Sequence, residues 1–329
     1  MSDFITNGPL PLAIVCLIIG FVFLVKGADL FVEGSSSIAK KLKVPSIVIG
    51  LTIVAIGTSL PEAAVSITAS VTNNNALAIS NVLGSNIFNL MVVIGVCAIL
   101  TPVAVQKDVV RRDLPFSVIC ALLLLVLGYM GSMSLGHVDG IILLLLYIAF
   151  LGFMIYTAMK ARKAGNENSS EVVAEAEEIK IMSVPKSILF IVIGAVGIMI
   201  GGDVVVDSAV NIATSFGMSQ TLVGLTIVAL GTSLPELVTS VVAAKKKEVD
   251  MALGNAIGSN VANILMILGI ASSISPIPFH MEDLIDICVL VVFSLLIWLF
   301  AWTKKRIDKG EGLVMVVLYV IYVVYAAMR

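Results

Sequence analysis

Two stretches of the chain carry the same arrangement of oxygen-bearing side chains. Gly50 to Glu62 reads G-L-T-I-V-A-I-G-T-S-L-P-E, and Gly224 to Glu236 repeats it at an offset of 174 with twelve of thirteen positions identical. Ala55, Thr58 and Glu62 stand at i, i+3 and i+7, one face of a helix, with Ser59 beside them. Ala229, Thr232, Ser233 and Glu236 form the second set. Pro61 lacks an N–H, so the carbonyl of Gly57 loses its helical donor and that turn opens; Pro235 acts likewise on Gly231. Further on, Asn81, Ser85 and Asn89 recur at four-residue spacing and are matched by Asn255, Ser259 and Asn263. Such a collection of carboxylates, hydroxyls, amides and freed carbonyls suits a hard cation. Calcium takes roughly six to eight oxygens in flexible geometry, magnesium keeps its waters, and softer metals want nitrogen or sulfur. Sodium also accepts carbonyl and hydroxyl oxygens. The competing reading of the Asn/Ser stripes is that they join helices by hydrogen bonds, with Gly84 and Gly258 allowing close approach.

The elements that must position these residues are membrane spans. Of the 329 residues, 59% are hydrophobic and 13% charged, far from the balance of a water-soluble chain. This composition excludes a soluble enzyme, a nucleic-acid binder and a disordered regulator. Apolar runs long enough to cross a bilayer fall at about 10–35, 46–70, 77–100, 114–134, 139–159, 186–212, 221–244, 251–275, 284–303 and 311–328. The first run has no preceding Lys or Arg and reads as a retained helix, not a cleaved signal. Eighteen of the 20 Lys and Arg lie in connections after odd-numbered spans, and the loops after spans two, four, six and eight contain none. Cytoplasmic loops are the basic ones, which predicts both termini outside. The expectation is an all-α membrane protein.

At membrane depth an ionised carboxylate is costly unless it is paired or hydrated, so Glu62 and Glu236 become candidate ion ligands. Lys26 is the one basic residue inside a predicted span, and it cannot easily serve both. Asp29 with Glu33, and Asp203 with Asp207, are matched acidic pairs. They either attract cations at the two mouths, or pair with nearby Lys40, Lys41 and Lys43, or cap neighbouring helices. Cys16, Cys97, Cys120 and Cys288 lie in apolar runs without C-x-x-C spacing and read as free thiols. His137 and His280 sit in short polar breaks and give no support to a zinc site.

The duplication extends beyond the motifs, since Gly20, Gly27 and Asp29 align with Gly194, Gly201 and Asp203 at the same offset. The chain divides into a first five-helix repeat at 1–159, an acidic cytoplasmic linker at 160–185 and a second five-helix repeat at 186–329. An odd number of spans per half turns the second copy over in the membrane. The prediction is ten transmembrane helices in two inverted five-helix repeats, an arrangement typical of transporters that alternate access around a midplane site.

At these residues a resemblance becomes specific. The paired G-T-S-L-P-E segments, each followed by G-S-N-x-x-N, resemble the alpha repeats of the sodium/calcium exchanger family, within the calcium/cation antiporter superfamily. The match covers nearly the whole chain and is closest to the compact prokaryotic type. The resemblance implies Glu62 and Glu236 as shared central carboxylates, hydroxyls or carbonyls from Thr58, Ser59, Thr232 and Ser233, and carbonyls from Ala55 and Ala229. Ser85, Asn89, Ser259 and Asn263 complete the implied metal-ligand set. It further implies a multi-pass inner-membrane antiporter that exports calcium on the sodium gradient, with no cofactor, no nucleic acid and no obligatory protein partner. Some relatives, including potassium-dependent exchangers, carry Asp where this chain has Asn263, so the neutral side chain argues against potassium co-transport. The G-N-x-x-E-type motif of proton-coupled calcium exchangers is absent, which favours sodium as the driving ion. The rivals are a proton-coupled calcium or other divalent cation antiporter of the same fold and a passive cation channel. An intramembrane hydrolase lacks an embedded His, Lys or paired Asp to activate a nucleophile, so no enzyme is expected.

Overall fold

The computed structural model of the chain describes residues 5, 6, 8–130, 133–165, 181–218 and 229–328. Twelve helices are used below. In the first half these are α1 (Leu10–Leu42), α2 (Ser46–Thr58), α3 (Leu60–Val71), α4 (Asn75–Leu100), α5 (Leu114–Met130) and α6 (His137–Gly165). The second half supplies α7 (Val184–Ser215), α8 (Ala229–Gly231), α9 (Leu234–Lys245), α10 (Val249–Ile274), α11 (Met281–Lys304) and α12 (Lys309–Met328). Among the described residues, seven helices are long and apolar enough to cross a membrane, or eight if α2 and α3, bent by 50°, count as one span. Part of the predicted 221–244 span lies outside the described residues, as does most of the predicted acidic linker. Two boundaries differ from expectation. α1 continues to Leu42 because Lys40 and Lys41 fill its last turn, where cations suit the helix dipole, and Lys43 closes it in the left-handed conformation. α6 runs on through Gly165, into the stretch expected to be linker.

The apolar distribution is inside out. Ile14, Ile18 and Val22 on α1, Leu145 and Ile148 on α6, and Val317 and Val320 on α12 are all exposed, as lipid-facing residues must be. The polar residues Glu62, Glu236, Asn89 and Asn263 are fully buried. α4 and α10 form the centre: 78% of the apolar window of each is buried, against 11% for α12 and 22% for α1. α4 packs on α12 where Gly95 meets Gly312, and α10 packs on α6 where Gly269 meets Gly140. The halves are also stitched by two short antiparallel ladders. β1 (Val103–Ala104) pairs with β4 (Arg306–Ile307), and β2 (Ser134–Leu135) pairs with β3 (Ile277–Pro278), so each ladder takes one strand from each half.

α1 and α7 lie along each other in the most extensive helix contact of the molecule. Small residues set the separation. A Cβ on Gly27 would sit 2.7 Å from the Ile198 nitrogen, one on Gly194 2.6 Å from the Phe31 nitrogen, and one on Gly201 2.5 Å from the Leu24 nitrogen. These neighbours are backbone atoms and cannot turn aside. Gly201→Leu is therefore expected to force the helices apart and to cost about 1–3 kcal/mol or more, read as a lowered thermal midpoint in detergent. Gly152→Leu, at an exposed position where an added Cβ meets nothing within 4 Å, should leave the midpoint in place.

Candidate ion-binding site

The span expected through 46–70, with its turn opened by Pro61, is interrupted outright. Ser59 leaves the helical conformation (φ −82°, ψ 7°), and Leu60, Pro61 and Glu62 open a new helix, α3. Pro61 explains the break, because a ring at this position cannot continue the preceding turn and is well accommodated at the start of the next. The second copy repeats the device, with Ser233 at φ −92°, ψ 3° ahead of Pro235. Each break places a glutamate in the first turn of a helix, Glu62 on α3 and Glu236 on α9. A helix N-terminus carries roughly half a positive elementary charge, enough to favour a carboxylate without neutralising it.

Each carboxylate is held by one hydroxyl from each half. Glu236 Oε1 accepts from the Ser59 hydroxyl at 3.0 Å and from Ser259 at 3.4 Å. Glu62 Oε1 accepts from Ser233 at 3.1 Å and from Ser85 at 3.1 Å, and these two hydroxyls lie 2.8 Å apart. The Thr58 hydroxyl donates to Asn255 Oδ1 at 3.0 Å and lies 3.4 Å from the Ala55 carbonyl, which Ser259 also approaches at 3.5 Å. Asn263 joins the Glu62 side by donating to Ser85 Oγ at 3.3 Å and to Asn86 Oδ1 at 3.0 Å.

Four acceptor atoms of the expected ligands stay unused. Glu62 Oε2, Glu236 Oε2, Asn89 Oδ1 and Asn263 Oδ1 are buried and find no hydrogen-bond partner among the described residues. An unpartnered buried carboxylate oxygen costs free energy that a bound cation would return. Lys26 does not supply the charge, because its side chain is exposed on α1. Immediately beyond the last stripe residues, the helices widen into π turns, Asn89–Val93 and Asn263–Ile267; such turns are frequent at functional sites.

The expected ligands thus separate by placement. Glu62, Ser85, Ser233 and Asn263 form one connected group, and Glu236, Ser59, Ser259, Thr58 and Ala55 the other. Asn89 is buried beside them in the same stripe as Ser85, on α4. Thr232 is only half-buried; its hydroxyl lies 3.4 Å from Asn81 Oδ1. Ala229 begins α8, and its side chain lies outside the described set. Asn81 and Asn255 act as helix joiners, Asn81 donating to Ser66 Oγ and Asn255 to Ser240 Oγ at 2.9 Å each. Two pairs were missed from sequence. Ser66 and Ser240 anchor those joiners, and Asn86 and Asn260 donate to one another's backbone carbonyls at 3.4 and 3.1 Å where α4 meets α10. The sequence signal of Ser66 and Ser240 is identity at the 174 offset, and Asn86 and Asn260 also stand in the G-S-N-x-x-N motifs.

A cavity of about 450 Å³ lies against Pro61, Ala64, Asp203, Asp207, Thr232 and Pro235, beside both breaks. Asp203 and Asp207 therefore line a cavity that reaches Pro61 and Pro235, the residues just before the two glutamates. Asp29 instead pairs with Lys246 at 2.6 Å, not with the Lys40–Lys43 cluster. The four cysteines are free, and no His/Cys/Asp/Glu cluster of metal-site type occurs among the described residues.

Comparison with known proteins agrees across the whole length. Residues 12–156 and 186–328 match the family model described as sodium/calcium exchanger protein. The chain is 34% identical over 307 residues to the inner membrane protein YrbG of Escherichia coli, covering 92% of each. It is 35% identical over 337 residues to the sodium/calcium exchanger MaX1 of Methanosarcina acetivorans, covering 94% of this chain and 96% of that one. Among solved structures it resembles the sodium-calcium exchanger NCX_Mj soaked with 2.5 mM Na+ and 10 mM Sr2+, with a TM-score of 0.81, 33% identity, and coverage of 96% and 99%.

Proposed function

The chain belongs to the sodium/calcium exchanger protein family, and from that premise we propose that this multi-span membrane protein exports calcium in exchange for sodium. The observation that carries the reading is the pair of buried glutamates, one from each sequence repeat, each with one oxygen satisfied across the halves and the other unused. Two carboxylates neutralise one divalent ion or two monovalent ones. A site that accepts either load, and is strained when holding both, couples two ion gradients. The ligands in this reading are Glu62, Glu236, Thr58, Ser59, Thr232, Ser233, Ser85, Asn89, Ser259 and Asn263, with carbonyls from Ala55 and Ala229. Neutral Asn263 favours exchange without potassium.

In the same reading the protein has ten spans, with α2 and α3 forming one of them and the segment ending in α8 and α9 forming its counterpart. Five spans per half invert the second repeat. The basic loops then lie in the cytoplasm, both termini lie outside, and the host is the inner membrane, in keeping with the name of the Escherichia coli relative. The cavity at Ala64 and Asp203 opens toward the outside. Alternating access moves α1 and α7, the two helices that contact each other most, across the centre formed by α4 and α10.

The test is flux in proteoliposomes of the purified protein. Calcium uptake is expected only with sodium loaded inside, to persist when the proton gradient is collapsed, and to need no potassium. Uptake driven by a proton gradient and indifferent to sodium would replace this reading with proton coupling. Calcium entry down its own gradient without any counter-ion would make the protein a channel.

A further inference from the structure

The sequence repeat provides a means of comparing the two faces of the site. At the 174 offset Thr58 matches Thr232, Ala64 matches Val238, Val65 matches Thr239, Asp29 matches Asp203, and Thr72 matches Lys246. The faces are not alike. Toward Asn74 the molecule holds the 450 Å³ cavity, with Asp203 exposed and Thr232 half-buried. Toward Lys246 the matching residues pack more tightly at the centre: Val32, Thr58 and Thr239 are all 0% exposed where Val206, Thr232 and Val65 are half-buried, while Asp29 and Val238 stay partly exposed. There the Phe31 ring lies against Gly57, where an added Cβ would be 2.7 Å from it.

Across this tighter face runs one ionic contact. Lys246 Nζ lies 2.6 Å from Asp29 Oδ1 and also donates to the Asp29 carbonyl at 3.2 Å. Lys246 is the C-cap of α9, the helix whose first turn carries Glu236, and Asp29 belongs to α1. The contact therefore ties a ligand-bearing helix to one of the two helices that move in the proposed cycle. On the other face the matching residue, Thr72, has no charge to offer. Its hydroxyl is spent on the carbonyls of Thr68 and Ala69 in its own helix.

We propose that Lys246 is a positioning residue for exchange: its bond to Asp29 is a one-sided latch that favours the conformer open toward Asn74. The proposal rests on the antiporter reading, and its physical basis is symmetry. Two identical halves would give end states of equal energy, open to one face or to the other. A bond available in only one of them shifts the balance by its own strength. A partly exposed ion pair of this kind is worth about a two- to fivefold change in population, and salt weakens it.

The experiment uses single cysteines at the matched positions Ala64 and Val238, with the four native cysteines replaced, in sealed vesicles without an ion gradient. An impermeant thiol reagent is applied from the Asn74 face for Ala64→Cys and from the Lys246 face for Val238→Cys. Lys246→Thr, which installs the residue of the other repeat, should slow labelling of the first and speed labelling of the second by about two- to fivefold. Asp29→Asn should do the same, Lys246→Arg should keep the parental ratio, and high salt should move the parent toward the variants. In exchange assays the half-saturating calcium concentrations on the two faces should shift in opposite directions. Equal slowing on both faces together with a lower thermal midpoint would mark the pair as a simple fastening and overturn the latch. An unchanged labelling ratio in both Lys246→Thr and Asp29→Asn would also overturn it. A labelling shift in a protein that fails to exchange calcium would sink the antiporter reading and leave the latch standing.

Discussion

Glu62→Gln is expected to abolish sodium-driven calcium exchange while leaving a folded, extractable protein, and Glu236→Gln to do the same. The amide keeps the shape of the carboxylate and its oxygen can still accept from Ser85 and Ser233, or from Ser59 and Ser259. What disappears is one of the two negative charges facing the ion. At about 4 Å and an effective dielectric near 20, a single unit-charge contact is worth about 4 kcal/mol, on the order of a thousandfold in affinity. Calcium carries two charges and suffers more than sodium. Each variant should therefore keep weak sodium binding longer than calcium binding, as measured by thermal shift with each ion. Stability without ions should rise, because a buried unpaired charge has been removed. Robust calcium flux in either variant would remove the glutamates from the site.

Asn263→Asp should have the second-largest effect, in the opposite electrostatic sense. The present side chain donates to Ser85 and Asn86 and leaves its own oxygen unpartnered. A carboxylate there loses both donations, faces Asn86 Oδ1 with another acceptor, and adds a third negative charge close to Glu62. That repulsion, again several kcal/mol before relaxation, is relieved by taking up a proton or an additional monovalent cation. Exchange should acquire a dependence on pH or on potassium that the parent lacks. Asn89→Asp, at the matching position, should act in the same direction. Identical ion and pH dependence in parent and both variants would mean that these asparagines face away from the ions and serve to join α4 and α10.

Much of this site is legible along the chain because duplication writes it twice. An isolated Pro-Glu pair or Asn-Ser stripe is ambiguous; two of each, in register at 174 residues, single out positions that the fold brings together. The same offset correctly singled out Gly27 and Gly201 as matched positions, and both sit where α1 and α7 approach within backbone contact. Contacts between halves were not legible. Nothing near Ser59 in sequence points to Glu236, because the pairing is produced by the way the two breaks face each other. The break was anticipated at the right turn but not as an end of a helix, since Pro61 can either kink a span or start a new one, and packing decides which. Asp29 was placed near Lys40–Lys43 by proximity along one helix, whereas its partner lies in the other repeat. The two ladders left no trace, since two-residue strands have no periodicity to read.

Those ladders bear on how the protein is made. Val103–Ala104 has its partner strand at Arg306–Ile307, roughly 200 residues further along the chain. The intervening residues take about 10–40 s to synthesise at 5–20 residues per second. Through that interval β1 is unpaired, and for its first part, until Ser233 is made, Glu62 lacks one of its two hydroxyl partners. The nascent first half is thus an incomplete client for the insertion machinery and for quality control, and it stops being one only when α11 and β4 have been made. Truncation anywhere before Arg306 leaves β1 unpaired, and truncation before Ser233 also leaves Glu62 without that hydroxyl; such fragments should be cleared by membrane proteases instead of accumulating as half-transporters.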